Sequence, residues 1–270
     1  MRIGIHVRRY GAFCIVSVMA AAAGFAAAGP APALQEPGPA EAPPTPRSSA
    51  PIDLAGWWVS IVTEDWRWRM MTPPRGDYAS IPLNDEGRRV ADTWDRERDE
   101  ASGEACRPYG AAAVMRMPGR VQIRWEDDDT LRIDTDAGTQ TRMLEFDAGA
   151  VAGGGREWQG YSVAAWETPQ GGRGRGRGAG APRGGSLKVV TTGMRPGYLR
   201  KNGVPYSEDA VLTEYFDRHS SAGAEWFTVT TIVEDPAYLT QPFITSTHFR
   251  KEPDGSGWNP TTCRTAPPVE

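Results

Sequence analysis

The pattern that most constrains this chain is period two. In "GRVQIRWEDDDTLRIDTDAG", Val121, Ile123 and Trp125 alternate with Gln122, Arg124 and Glu126, and Leu131 and Ile133 alternate with Arg132 and Asp134. Strict alternation is the signature of a strand with one buried face, and Asp127-Asp128-Asp129 supplies the turn of a hairpin. The acidic triplet is read as a turn rather than a calcium loop, because no Gly and distal Glu follow at the spacing such a loop needs. Similar segments recur at Leu54–Thr63, Trp66–Met71, Ala112–Met117, Thr139–Phe146, Trp158–Trp166, Leu187–Thr192, Val211–Arg218, Trp226–Val233 and Phe243–Arg250. Many short strands joined by short turns predict an all-β antiparallel meander closed into a barrel, which removes exposed edges. One helix interrupts the strands. Asn84 is placed to cap it, Asp85 and Glu86 fall in its first turn, and Val90, Ala91 and Trp94 form a narrow apolar stripe. It reads as a packing helix rather than a lid.

The N-terminus has a different grammar. Arg2, Arg8 and Arg9 precede an apolar run from Ala12 to Ala28 that ends in small residues, as a cleaved secretory signal does. The run is shorter than the ~20 residues of a membrane-spanning helix. The expected division is a signal peptide over 1–28, a Pro/Ala-rich tether over 29–50, and a barrel domain over 51–270 with a flexible Gly/Arg loop at 169–186. Periplasmic or secreted location follows, with no stable membrane insertion after cleavage. Loss of the leader makes the formal net charge of −4 three units more negative. An acidic chain repels nucleic acid in bulk, so none is expected as a partner. Export leaves Cys106 and Cys263 as the mature cysteines, and an exported pair predicts a disulfide.

The first strand opens with "DLAGWW", in which Gly56 and Trp58 form G-x-W. This resembles the start of lipocalins and the wider calycin group. The resemblance implies a calycin-like barrel whose tryptophan packs at the closed end beneath a basic residue of the last strand; Arg250 is the candidate. The segments "VTEDWRWRMMTPPRGDYASIPLN", "MRPGYLRKNGVPYSEDAVLTEYFDRH" and "TTIVEDPAYLTQPFITSTHF" also resemble a group of exported bacterial proteins without assigned function. That likeness implies export and a barrel, and brings no catalytic residues.

Chemistry is sparse. His219 and His248 cannot complete a zinc site, and no metal site is expected. His248 shares a face with Ile244, Ser246 and Arg250; were that face interior, it would suit a haem axial ligand, while the opposite register leaves it outside. Glu214, Phe216 and Arg218 share one face of a strand, Tyr215 lies on the other, and Glu234 ends the next strand. Glu214, Tyr215 and Glu234 are the candidates for acid–base catalysis, against a reading as ordinary strand ends and turns. Period two would send Trp66 and Trp68 inward and Arg67 and Arg69 outward. The arginines would fit an anionic partner only if a basic patch formed with Arg195, Arg200 and Lys201. The leading expectation is a barrel that binds a small, mainly apolar molecule among Trp66, Trp68, Glu214, Phe216, Arg218 and His248. The alternatives are an acid–base isomerase or hydratase in the same cavity, and a non-catalytic envelope protein whose outer face binds another protein. A barrel filled by its own side chains favours the last.

Overall fold

The computed structural model describes residues 43–151, 155–168 and 184–269. The expected signal peptide, most of the tether and most of the Gly/Arg loop lie outside the described residues. Among the described residues eleven strands run in chain order: β1 Gly56–Ile61, β2 Arg120–Trp125, β3 Thr130–Thr135, β4 Gln140–Glu145, β5 Tyr161–Glu167, β6 Ser186–Thr192, β7 Gly197–Arg200, β8 Val204–Tyr206, β9 Val211–Ser221, β10 Ala224–Glu234 and β11 Phe243–Glu252. Nine of them close a barrel in the order β1-β2-β3-β4-β5-β6-β9-β10-β11 and back to β1, and β7 pairs with β8 alone. Every barrel neighbour is also the next barrel strand in the chain. A ring with an odd number of strands cannot alternate direction all the way round, so one pair must be parallel. That pair is β4–β5, held at Leu144–Ser162 and Glu145–Val163. The expected all-antiparallel meander is therefore corrected to a mixed barrel.

Among the described residues the short α-helices α1 Trp66–Met70, α2 Asp85–Ala91, α3 Arg96–Ala101 and α4 Ala111–Val114 collect around β7–β8 at one end of the ring. Their core of Tyr78, Ala91, Ala112, Leu199, Tyr206 and Leu239 continues through Leu212, Val233 and Phe243 into the strands. The helix expected from Asn84 is two helices. Asn84 Oδ1 accepts from Gly87 N at 2.8 Å, and Asp95 starts a second helix by accepting from Arg98 N at 3.0 Å.

Two expected strands are helices. Trp66–Met70 begins at Asp65, whose left-handed φ of 51° turns the chain. The amides of Trp68 and Arg69 then bond Asp65 O at 2.9 and 3.0 Å. Five residues of alternating type fit either period, and these local bonds decide for the helix. Ala111–Val114 is a buried turn of alanines, the best helix formers. At the opposite end, Trp166 Nε1 donates to Pro46 O at 2.8 Å and Arg47 N to Asp128 O at 3.1 Å, so contacts with the barrel begin upstream of Pro51. Cys106 and Cys263 are joined by a disulfide across 157 residues, tying the C-terminal segment to the 3-10 turn Arg107–Tyr109.

Candidate functional site

Alternation along the strands fixes what faces the bore. Val121, Ile123, Leu131, Ile133, Leu144, Leu187, Val189, Phe216, Phe227, Val229 and Phe249 point inward and form one buried cluster with Trp58. Phe227 stacks on Phe249 with centroids 4.6 Å apart and meets Trp58 edge-on at 4.9 Å. A charged crossbar lies among these side chains. Arg142 of β4 grips Glu214 of β9, Nη1–Oε1 at 3.1 Å and Nη2–Oε2 at 2.5 Å, and both side chains have no exposed surface. Arg142 Nη2 also reaches Thr191 Oγ1 at 3.4 Å, and that hydroxyl lies 2.7 Å from Ser162 Oγ. The bore is thus occupied by the protein's own side chains.

Glu214 and Phe216 line the interior, where the sequence placed them. The cation beside Glu214 is Arg142, not Arg218. Arg218 lies beyond the buried part of β9 and pairs with Glu225 at 3.0 Å. Tyr215 is on the outer face, with Lys188 Nζ 5.8 Å from its ring centre. Glu234 is exposed at the end of β10. The three catalytic candidates do not converge, and both oxygens of Glu214 are already engaged.

Other expected positions are corrected. Trp66 and Trp68 lie on α1, outside the bore. Trp66 is 60% exposed, whereas Trp68 donates from Nε1 to Asp77 Oδ2 at 3.2 Å. His248 faces outward, with Nδ1 2.9 Å from Thr228 Oγ1, so it cannot ligate a haem inside the barrel. Trp58 is wholly buried and donates from Nε1 to Leu54 O at 2.9 Å. The cation over its ring is Lys251, at 5.3 Å, because Lys251 is the register partner of Trp58; Arg250 is exposed beside Val59. Gly56 has a reason to be glycine. Its φ is 136°, and a Cβ there would lie 2.9 Å from Lys251 Cε.

The helical end holds a basic pocket. Arg69 sends Nε to Arg116 O and Nη2 to Ser60 Oγ, both at 2.9 Å, and pairs with Glu64. Arg116 Nη2 donates to Asp65 Oδ2 at 2.8 Å. Arg200 lies over the Trp68 ring at 4.6 Å and donates to the carbonyls of Asp77 and Ala79. Lys201 Nζ donates to Arg69 O at 2.7 Å. Burial first, then the neighbouring Arg116, lowers Arg200 to a pKa of about 10, and burial brings Lys201 down to about 8. Of the basic patch considered from sequence, Arg69, Arg200 and Lys201 meet here. Arg67 pairs with Asp77 at 3.1 Å, and Arg195 stacks on Trp158 at 4.1 Å elsewhere.

A second cleft, about 160 Å³, runs between Trp94, Arg107, Tyr198 and Tyr206. Its wall is knitted together. Tyr198 donates to Asp99 at 2.7 Å, Arg107 Nη1 donates to the same carboxylate at 3.1 Å, and burial pushes Tyr198 up to about 12.

Sequence reasoning missed Arg142, Arg116 and Lys251. Arg142 had a signal: in "QTRMLE" it shares a face with Leu144, and an arginine on a core face needs a buried acid. Comparison with known protein families finds no matching family model, and comparison with curated proteins finds no match.

Proposed function

We propose that this chain is a non-catalytic interaction protein of the cell envelope. In this reading it is an exported, calycin-like barrel whose interior is scaffold and whose helical end binds another protein. The observation that carries the reading is the filled bore crossed by Arg142–Glu214. A site for an apolar molecule needs free volume lined by apolar groups. Acid–base chemistry needs carboxyl oxygens free to exchange protons. The recognition surface suggested is α1, where Trp66 and Met70 are one turn apart and 60% and 57% exposed. Tryptophan and methionine are enriched at protein interfaces. The calycin likeness is supported by Gly56, Trp58 and the cation above the ring; the parallel pair is a departure from it. Export is supported by the leader-like residues 1–28.

The test places a photoreactive residue at position 66 or 70 of the full chain in its native compartment. The expected result is one discrete adduct that excess unlabelled protein suppresses and that is absent when the residue sits at Ser220, on the hairpin at the opposite end. No adduct, or an equal one from Ser220, would remove the docking reading.

A further inference from the structure

We propose that the pocket enclosed by Trp68, Arg69, Arg116, Leu199, Arg200 and Lys201 is a binding site for one phosphate group. The inference rests on the cation geometry alone and does not need the docking reading above.

Three separate elements deliver the cations: α1 brings Arg69, the turn after α4 brings Arg116, and the end of β7 brings Arg200 and Lys201. The arginines are nearly enclosed, at 2% exposure for Arg69, 7% for Arg116 and 5% for Arg200. The nearby acids are already engaged: Glu64 with Arg69, Asp65 with Arg116, and Asp77 with Arg67 and Trp68. Among the described residues, neither Arg200 nor Lys201 forms an ion pair. Their donors meet only backbone carbonyls. Among the described residues Arg116 Nη1, itself buried, meets no hydrogen-bond partner. Asp77 and Asp65 act on Arg200 only from beyond ion-pair distance; buried positive charge without a paired counter-ion is costly, and a buried guanidinium N–H left unpaired adds its desolvation cost. The lowered pKa values of Arg200 and Lys201 have the same origin.

An anion at this place supplies the paired counter-charge that Arg200 and Lys201 lack. The free space is about 20 Å³, enough for one oxygen-sized atom. An oxyanion therefore enters by a single oxygen, into the space lined by Arg116, Arg200 and Lys201. Two cations lack a carboxylate, and a phosphate monoester carries about −1.5 to −2 at neutral pH, so a phosphate matches the surplus better than a monoanionic carboxylate. The Trp68 ring, 4.6 Å from the Arg200 guanidinium carbon, supports that cation and forms one wall of the pocket.

The experiment is calorimetric titration of the full chain with inorganic phosphate at low ionic strength, with thermal melts of each variant in phosphate-free buffer. Saturable one-site binding is expected. Lys201→Met keeps the stem and removes the charge. Arg116→Lys keeps the charge and removes the guanidinium that lines the pocket. Each is expected to weaken binding roughly tenfold or more, the scale of one charge-assisted hydrogen bond. Arg195→Met, away from the pocket, should bind as the parent does. A glycerol phosphate that competes for the site identifies an ester as the source, and one that fails to compete assigns free phosphate. The proposal is overturned if the parent chain shows no saturable binding, or if Lys201→Met and Arg116→Lys melt normally and bind as tightly as the parent.

Discussion

Glu214→Gln tests how dry the barrel is. The substitution keeps shape and removes one charge, leaving the Arg142 guanidinium inside the bore with no counter-ion. Both side chains have no exposed surface, and Arg142 Nε already lacks a partner, so no solvent is at hand to take up the loss. Removing one member of a buried pair costs about 3–5 kcal/mol. With an m-value of roughly 2.5 kcal/mol/M, that lowers the urea midpoint by about 1–2 M. Arg142→Met should cost a similar amount, since it strands the carboxylate. Arg142→Met with Glu214→Leu removes both charges, and such double replacements range from neutral to about 1–4 kcal/mol more stable. The assay is equilibrium urea unfolding of the four chains with the disulfide intact, m held common, read as a double-mutant cycle. Single substitutions that each cost less than about 1 kcal/mol would mean that water reaches the pair, and the argument from a filled bore would fail.

Trp58→Ala should cost about 3–5 kcal/mol in the same unfolding assay. Lys251→Met should cost about 0.5–2 kcal/mol through the lost cation over the ring, while Arg250→Ala stays within about 0.5 kcal/mol; equal effects would return the role to Arg250. Lys201 gives a pH signature. Below its folded pKa of about 8 it is protonated in both states, and the folded state bears the full burial cost. Between about 8 and its unfolded value near 10.5 the unfolded chain binds the extra proton, so stability rises with pH, by at most about 3 kcal/mol. Tyr78 and Tyr198, pushed up to about 12, oppose this above pH 10, where only their unfolded forms ionise. Melting temperature should therefore climb from pH 8 to 10 in the parent, and Lys201→Met should flatten the climb. Reducing the Cys106–Cys263 bond should cost about 4–5 kcal/mol by chain entropy, read as a fall in melting temperature with reductant.

The hairpin β2–β3 was legible because each of its residues has one face to satisfy, and hydrophobicity reports that face directly. The same holds for β9, where Glu214 and Phe216 were placed on one side before any partner was known. Legibility failed where the deciding contact is distant. Nothing near Glu214 announces Arg142, 72 residues earlier in the chain. The parallel β4–β5 pair follows from the parity of the closed ring, which no local window contains. In Trp66–Met70 the alternation was real but too short to choose a period; Asp65 and the inward pull on Arg69 chose the helix. Trp58 is buried at the start of β1, but the cation above its ring depends on register with β11, and a shift of one residue exchanges Arg250 for Lys251.

Energy transfer from the protein's tryptophans to a fluorescent fatty acid distinguishes a scaffold interior from a ligand cavity. Trp58 sits in the buried cluster against Phe227, so a probe in the bore would lie beside it. Titration of the native chain should give no saturable transfer up to the solubility of the probe. One-site saturation in the micromolar range, abolished when Val189→Trp fills the inner face, would make the bore a ligand site.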